Sequence, residues 1–260
     1  MTRRVADRRD LSSRERLAWS TFGIAVVLVV WELAERLGWV ETLVASSPSK
    51  IVESLIDMYD RGVLVPAIRS SAKLFGLGFG IALLIGITVG ALMGWYRRFN
   101  AVIDPWISLV YASPRIAFVP LVLVWAGIGL KAQVVLVVLI AVFPMIINTA
   151  AGIGAVDRDH LRVARSFLAT NVDVLRTIAL PGALPTIIAG VRQGMIQALL
   201  GTVAAEYFIG NTGVGGLIFT AGLTLQTGQA FAGALVFAGA ALGLTMLLRN
   251  VERRFDRWRP

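Results

Sequence analysis

The chain of 260 residues is 57% hydrophobic and only 16% charged, with a mean hydropathy of +0.74. Soluble domains average about 45–50% apolar and about 25% charged, so this composition excludes a soluble globular fold. It leaves an all-α membrane protein with room for about six spans of about 20 residues each. The net charge of +9 is almost all arginine, with lysine only at Lys50, Lys73 and Lys131. The arginines gather between apolar blocks, the pattern of loops facing an anionic cytoplasmic leaflet, so lipid and not nucleic acid is the partner of this charge. Without cysteine, and with His160 as the single histidine, the chain has no disulfide, thiolate metal site or HExxH site.

Residues 1–16 read as a polar, arginine-rich tail, and residues 17–260 as one membrane domain. An apolar block over residues 17–33 reads as an uncleaved first helix, since Trp31, Glu32 and Trp39 at its far end suit an interface. The competing reading is a signal peptide cleaved near residues 43–46. Ser47-Pro48-Ser49 starts a short amphipathic helix. The second span is expected over residues 72–96, with Gly86, Gly90 and Gly94 forming a smooth stripe for a neighbouring helix. A third span is expected over residues 104–125, containing Pro114 and Pro120, and a fourth over 132–151. Residues 156–181 form the longest polar loop. A fifth span over 185–208, a Gly/Thr-rich connector and a sixth span over 230–248 complete the chain. Six spans collect the arginine clusters on one side, so both termini are cytoplasmic.

The polar loop reads DRDHLRVARSFLATNVDVLRTIALP over residues 157–181. Leu161, Ala164, Arg165 and Leu168 are helix-spaced, Thr170-Asn171 breaks the pattern, and a second short helix is expected to end before Pro181. Two short amphipathic helices in a loop make a knob for a soluble partner. This segment resembles the "EAA" loop of permease subunits of binding-protein-dependent ABC importers, whose pattern is EAA, three residues, Gly, nine residues, Ile-x-Leu-Pro. Aligned on Ile178, Leu180 and Pro181, the EAA positions fall on Arg162, Val163 and Ala164, and the glycine position on Leu168. The acid and the glycine are therefore absent here. PRIAFVPL at 114–121, WAGIG at 125–129, FP at 143–144, NT at 148–149, AE at 205–206 and GVGGLI at 213–218 resemble the nitrate/sulfonate/taurine branch of that family.

The resemblance implies a type I permease fold in a bacterial inner membrane. It also implies a second permease copy forming a homodimer, two copies of an ATPase subunit binding ATP and Mg, and an extracytoplasmic substrate-binding protein. No Gly-Lys-Ser/Thr phosphate loop exists in this chain, so ATP hydrolysis belongs to another subunit and this one is not an enzyme. The coupling loop would comprise Leu161, Arg162, Val163, Ala164, Arg165, Leu168, Ala169, Thr170, Asn171, Leu180 and Pro181. Translocation-path candidates are Ser108, Tyr111, Arg115, Asn148, Gln193, Gln197 and Glu206. Arg115 has two readings, an anion handle on the path, or a structural ion pair or carbonyl clamp near the kink at Pro114. Glu206 likewise pairs with a basic group or lines the path. Pro114, Pro120, Gly213, Gly215 and Gly216 are candidate hinge or gate positions, the glycines belonging to an outer re-entrant segment. The implied cargo is a small anion such as nitrate, sulfonate or taurine; the alternatives are an organic nutrient such as a vitamin precursor or aromatic acid, or a stand-alone carrier or channel.

Overall fold

The computed structural model describes residues 12–39, 46–156, 164 and 166–255, with backbone alone at 13, 14, 16 and 251–255. Every regular element among them is helical. Helix α1 (Ser13–Arg36) opens on a reciprocal capping box between Ser12 and Glu15. The short α2 (Pro48–Asp60) carries proline in its first turn, where a missing N–H costs nothing. Its N-terminus is capped from α1: Glu32 accepts from the Ser49 amide at 3.1 Å and the Ser49 hydroxyl at 2.8 Å. Lys50 pairs with Glu35 beside it.

Helix α3 (Leu64–Trp95) begins eight residues before the expected second span. Its buried stripe already starts at Leu64 and continues through Ala67, Ser71 and Leu74, while Arg69 and Lys73 point away. The helix therefore packs before it becomes hydrophobic enough to register as a span. Helix α4 (Arg97–Ala112) is followed by a 3-10 turn (Arg115–Phe118) and α5 (Val119–Ala126). The expected third span, with Pro114 and Pro120 inside it, is this pair, and it is bent by 98°. Pro114 forces the break, because a proline disfavours the helical region for the residue before it, and Ser113 is extended (φ −78°, ψ 150°). Pro120 makes no kink, since it lies in the first turn of α5.

Helix α6 (Leu130–Gly154) runs through Pro144. Helix α7 is a second correction: it runs unbroken from Asn171 to Gly210, 40 residues in all, so no short loop helix ends before Pro181. A π-helical turn over Leu175–Ala179 precedes Pro181, and its wider ring removes the clash a proline makes with the carbonyl four residues back. The connector contains α8 (Gly213–Leu223), and α9 (Thr227–Phe255) closes the chain. Among the described residues, five helices are long and apolar enough to span a membrane, and the bent α4–α5 pair, counted as one span, makes a sixth.

Helices α3, α6 and α7 form the core, with Leu74, Leu136, Val137, Met145 and Ala198 almost wholly buried. The glycine stripe of α3 lies against α6. A Cβ on Gly86 would sit 2.5 Å from Met145 Cβ, one on Gly90 2.6 Å from the Ile146 carbonyl, and one on Gly94 2.7 Å from the Ala150 carbonyl. A smaller cluster of Ile51, Met58, Leu64 and Ala232 joins α2, α3 and α9, with Trp31 of α1 and Leu217 of α8 against it. With both termini cytoplasmic, α2 and α8 lie at the outer face.

Candidate functional site

At the cytoplasmic end, Leu161, Arg162, Val163 and Arg165 lie outside the described residues. The rest of the loop has a definite shape. The amides of Phe167 and Ala169 both donate to the Ala164 carbonyl, each at 3.2 Å, and Leu168 between them has φ +57°. This is a helix stop of the Schellman type, whose left-handed position is normally glycine. The residue aligned with the family's glycine thus keeps the glycine backbone while carrying a leucine. Phe167 and Leu168 are 81% and 92% exposed. Thr170 then caps α7, accepting from the Asp173 amide at 3.3 Å, while Asp173 accepts from the Thr170 amide at 3.1 Å. Ala169 is half-buried, Asn171 and Pro181 are exposed, and Leu180 packs with Ile153, Ala179, Ala183 and Ile187. The start of α7 is therefore packed on the end of α6, and the apolar pair before it is bare among the described residues.

At the bend, the Arg115 guanidinium lies 5.1 Å from the centre of the Tyr111 ring, which itself stands 6.1 Å from the Phe143 ring. Arg115 Nη1 is buried and has no hydrogen-bond partner among the described residues. Among the same residues no carboxylate there offers it a structural ion pair. Ser108 on α4 is exposed. Asn148 on α6 donates to the Pro144 carbonyl of its own helix at 2.8 Å. Gln193 is exposed and Gln197 half-buried on α7. Arg192, which sequence reasoning passed over, stands exposed beside Gln193 within the same span. The structure thus joins Tyr111 to Arg115, with Ser108 on the same helix as Tyr111, Asn148 on α6, and Gln193 and Gln197 on α7.

Glu206 is fully buried, and no basic side chain meets its carboxylate among the described residues. It accepts from the Ser71 hydroxyl at 2.7 and 2.9 Å and from the Gly215 amide at 2.8 Å. Ser71 in turn accepts from the Val214 amide at 2.9 Å. A carboxylate at a helix N-terminus meets both free amides and the positive end of the helix dipole. The glycines make room for this contact. A Cβ on Gly213, whose φ is +67°, would lie 2.0 Å from Glu206 Oε1, and one on Gly215 2.8 Å from Glu206 Cβ. Gly216 is pressed against the backbone of Asn211, itself left-handed at φ 44°. Gln133 on α6 completes the arrangement by donating to the Thr212 hydroxyl at 3.0 Å. Sequence reasoning missed Ser71 and Gln133. Ser71 carried one usable signal, a polar residue in register with the buried stripe of α3.

Residues 82–258 match the family described as binding-protein-dependent transport system inner membrane component. A permease of Bacillus subtilis (strain 168) named for aliphatic sulfonates transport is 31% identical over 96% of this chain and 92% of its own length. The taurine transport system permease protein of Escherichia coli (strain K12) is 32% identical over 99% of this chain and 94% of its own. The riboflavin transport system permease protein of Chloroflexus aurantiacus is 29% identical over 95% of this chain and 93% of its own. In fold, the chain is similar to one from an inward-facing MetNI methionine ABC transporter, with a TM-score of 0.65, 17% identity, and coverage of 75% of this chain and 97% of that one. With matched sequence over most of its length and five or six apolar helices, this chain belongs to the inner-membrane permease family of binding-protein-dependent ABC importers.

Proposed function

We propose that this permease carries a small organic sulfonate of the taurine type across the inner membrane. Its path would be driven by ATP and Mg bound in a separate ATPase subunit. Two permease copies would face each other above two ATPases, with a substrate-binding protein delivering cargo from outside. The single observation that carries the coupling part is the exposed apolar pair Phe167 and Leu168, placed between the helix stop and the capped start of α7. Adjacent exposed apolar side chains on a polar loop outside the membrane are suited to contact with a soluble protein.

The cargo part is supported by the sulfonate- and taurine-named relatives and by Arg115. A guanidinium within a span costs about 2.5–3.5 kcal/mol on insertion scales. An N–H left without an acceptor adds to the advantage of receiving an anion there. The riboflavin-named relative supports the organic-nutrient reading of the same machinery.

Purification of the tagged chain from its native membranes in mild detergent tests the coupling. A P-loop ATPase should co-purify with the native chain and be lost from Phe167→Asp and Leu168→Asp. A chain that emerges alone, under conditions retaining a known ABC complex, would favour a stand-alone carrier. Uptake into proteoliposomes of taurine, an alkyl sulfonate, nitrate and riboflavin separates the cargo classes. Riboflavin uptake without sulfonate uptake would overturn the anion reading.

A further inference from the structure

Helix α8 lacks a cap of its own. Its N-cap residue Thr212 makes no capping bond, and its hydroxyl is taken by Gln133. The amides of Val214 and Gly215 are instead satisfied by two residues from other helices, Ser71 of α3 and Glu206 of α7. Both side chains are buried, and Ser71 also donates to both carboxylate oxygens, so three helices meet in one closed hydrogen-bond set. The glycines at 213 and 215 bring the α8 backbone onto the carboxylate with no side chain between. Glu206 opens a π-helical turn (Glu206–Gly210), and the Asn211 amide donates to its carbonyl at 3.0 Å. The clamp is therefore built into the last turn of α7. The other end of that helix is Asn171, capped by Thr170 next to the exposed loop tip. One helix of 40 residues, about 60 Å long at 1.5 Å per residue, thus has the cytoplasmic loop at one end and the outer helix at the other.

We propose that Glu206 and Ser71 are positioning residues that lock α8 to α7, so that displacement of the cytoplasmic end of α7 moves the outer helix with it. This rests on the coupling reading above, because an ATPase is what would displace that end. A packed core passes on rigid-body motion of an element where its contacts hold. A buried, mutually satisfied polar set holds direction better than apolar contact, which lets helices slide. The clamp supplies that fixed joint.

The test uses the full chain, which is free of cysteine and so takes nitroxide labels at chosen sites. Labels at Val172→Cys and Leu223→Cys, both exposed, report the distance between the two ends. The native clamp should give one narrow distance distribution, and Ser71→Ala and Glu206→Ala a broad one. In proteoliposomes with the ATPase and binding protein, the alanine variants should hydrolyse ATP at the native rate but move about tenfold less taurine per ATP. Glu206→Gln keeps the side-chain size and an oxygen for the Gly215 amide, and should restore that ratio to within about threefold. Should Glu206→Ala fail to fold, Ser71→Ala and Glu206→Gln still decide the matter. Unchanged distances in the variants, or uptake and hydrolysis falling together in proportion, would overturn the proposal. If the native transporter moves no taurine, the import reading fails while the label distances still judge the clamp.

Discussion

Leu168 carries a backbone angle that disfavours its own side chain. A left-handed conformation costs a residue with a Cβ about 1–2 kcal/mol, and Leu168 holds φ +57° at the helix stop while its side chain is 92% exposed. Among the described residues no packing offsets that cost. Leu168→Gly should therefore raise thermal stability relative to Leu168→Ala by about 1 kcal/mol, read as a shift in Tm of the detergent-purified protein. If the leucine docks to an ATPase, both variants should lose co-purifying ATPase to the same degree. Retention of the ATPase by both would limit the docking surface to other loop residues. Gly213 is the opposite case at the outer face. There a Cβ meets Glu206 Oε1 at 2.0 Å in a left-handed backbone, whereas one on Gly222 meets nothing within 4 Å. Gly213→Ala should cost about 2 kcal/mol or more in unfolding free energy, and Gly222→Ala should be neutral or stabilising by up to about 1 kcal/mol. Equal effects of the two would mean that the close contact at Glu206 is not maintained.

At the scale of the element, the spans were legible wherever hydropathy and packing coincide. The Gly86, Gly90 and Gly94 spacing pointed to a close helix crossing, and the α3–α6 contact lies along that stripe. Gly80 on the same helix faces open space, with nothing within 4 Å of where a methyl group would stand. Gly90→Ala should accordingly destabilise the chain by about 1–3 kcal/mol, because its obstacle is the fixed Ile146 carbonyl at 2.6 Å, while Gly80→Ala should not. Chemical denaturation of the two variants in mixed micelles checks the difference. Prolines were legible as breaks only where the local turn could not absorb them. Pro114 bends its span by 98°, yet Pro181 follows a π-helical turn inside an unbroken α7. That distinction depends on hydrogen-bond register, which composition and spacing do not report. Glu206 stood out in sequence as an acid within a span, but its partner Ser71 lies 135 residues away. Only the folding of α3 onto α7 brings them together.

Across the whole molecule, the polar residues within the spans divide by where they face. Glu206, Ser71, Thr202 and Gln133 are turned inward and satisfied by hydrogen bonds, while the buried Thr149 hydroxyl has no partner among the described residues. Gln193 points outward from α7, and Ser108 points outward from α4. Facing hydrocarbon, such groups would each forfeit hydrogen bonds with water, at a cost of several kcal/mol. A single copy therefore leaves polar groups exposed within its spans, and the proposed pairing of two copies around a water-filled path would cover them. The fold family was readable from motif order, but this surface was not, because it depends on helix rotation about α7. The absence of native cysteine makes the consequence directly measurable. Gln193→Cys, in the assembled transporter, should react with a small aqueous maleimide in at least one nucleotide state. Leu84→Cys, 70% exposed on α3, serves as the lipid-facing reference and should stay unreactive in every state. Changes in Gln193→Cys labelling between nucleotide-free and ATP-bound transporter would identify this face of α7 as part of an alternating path. Labelling of Gln193→Cys no faster than that of Leu84→Cys would instead assign the α7 face to the bilayer, and the path would have to lie along the Arg115 bend alone.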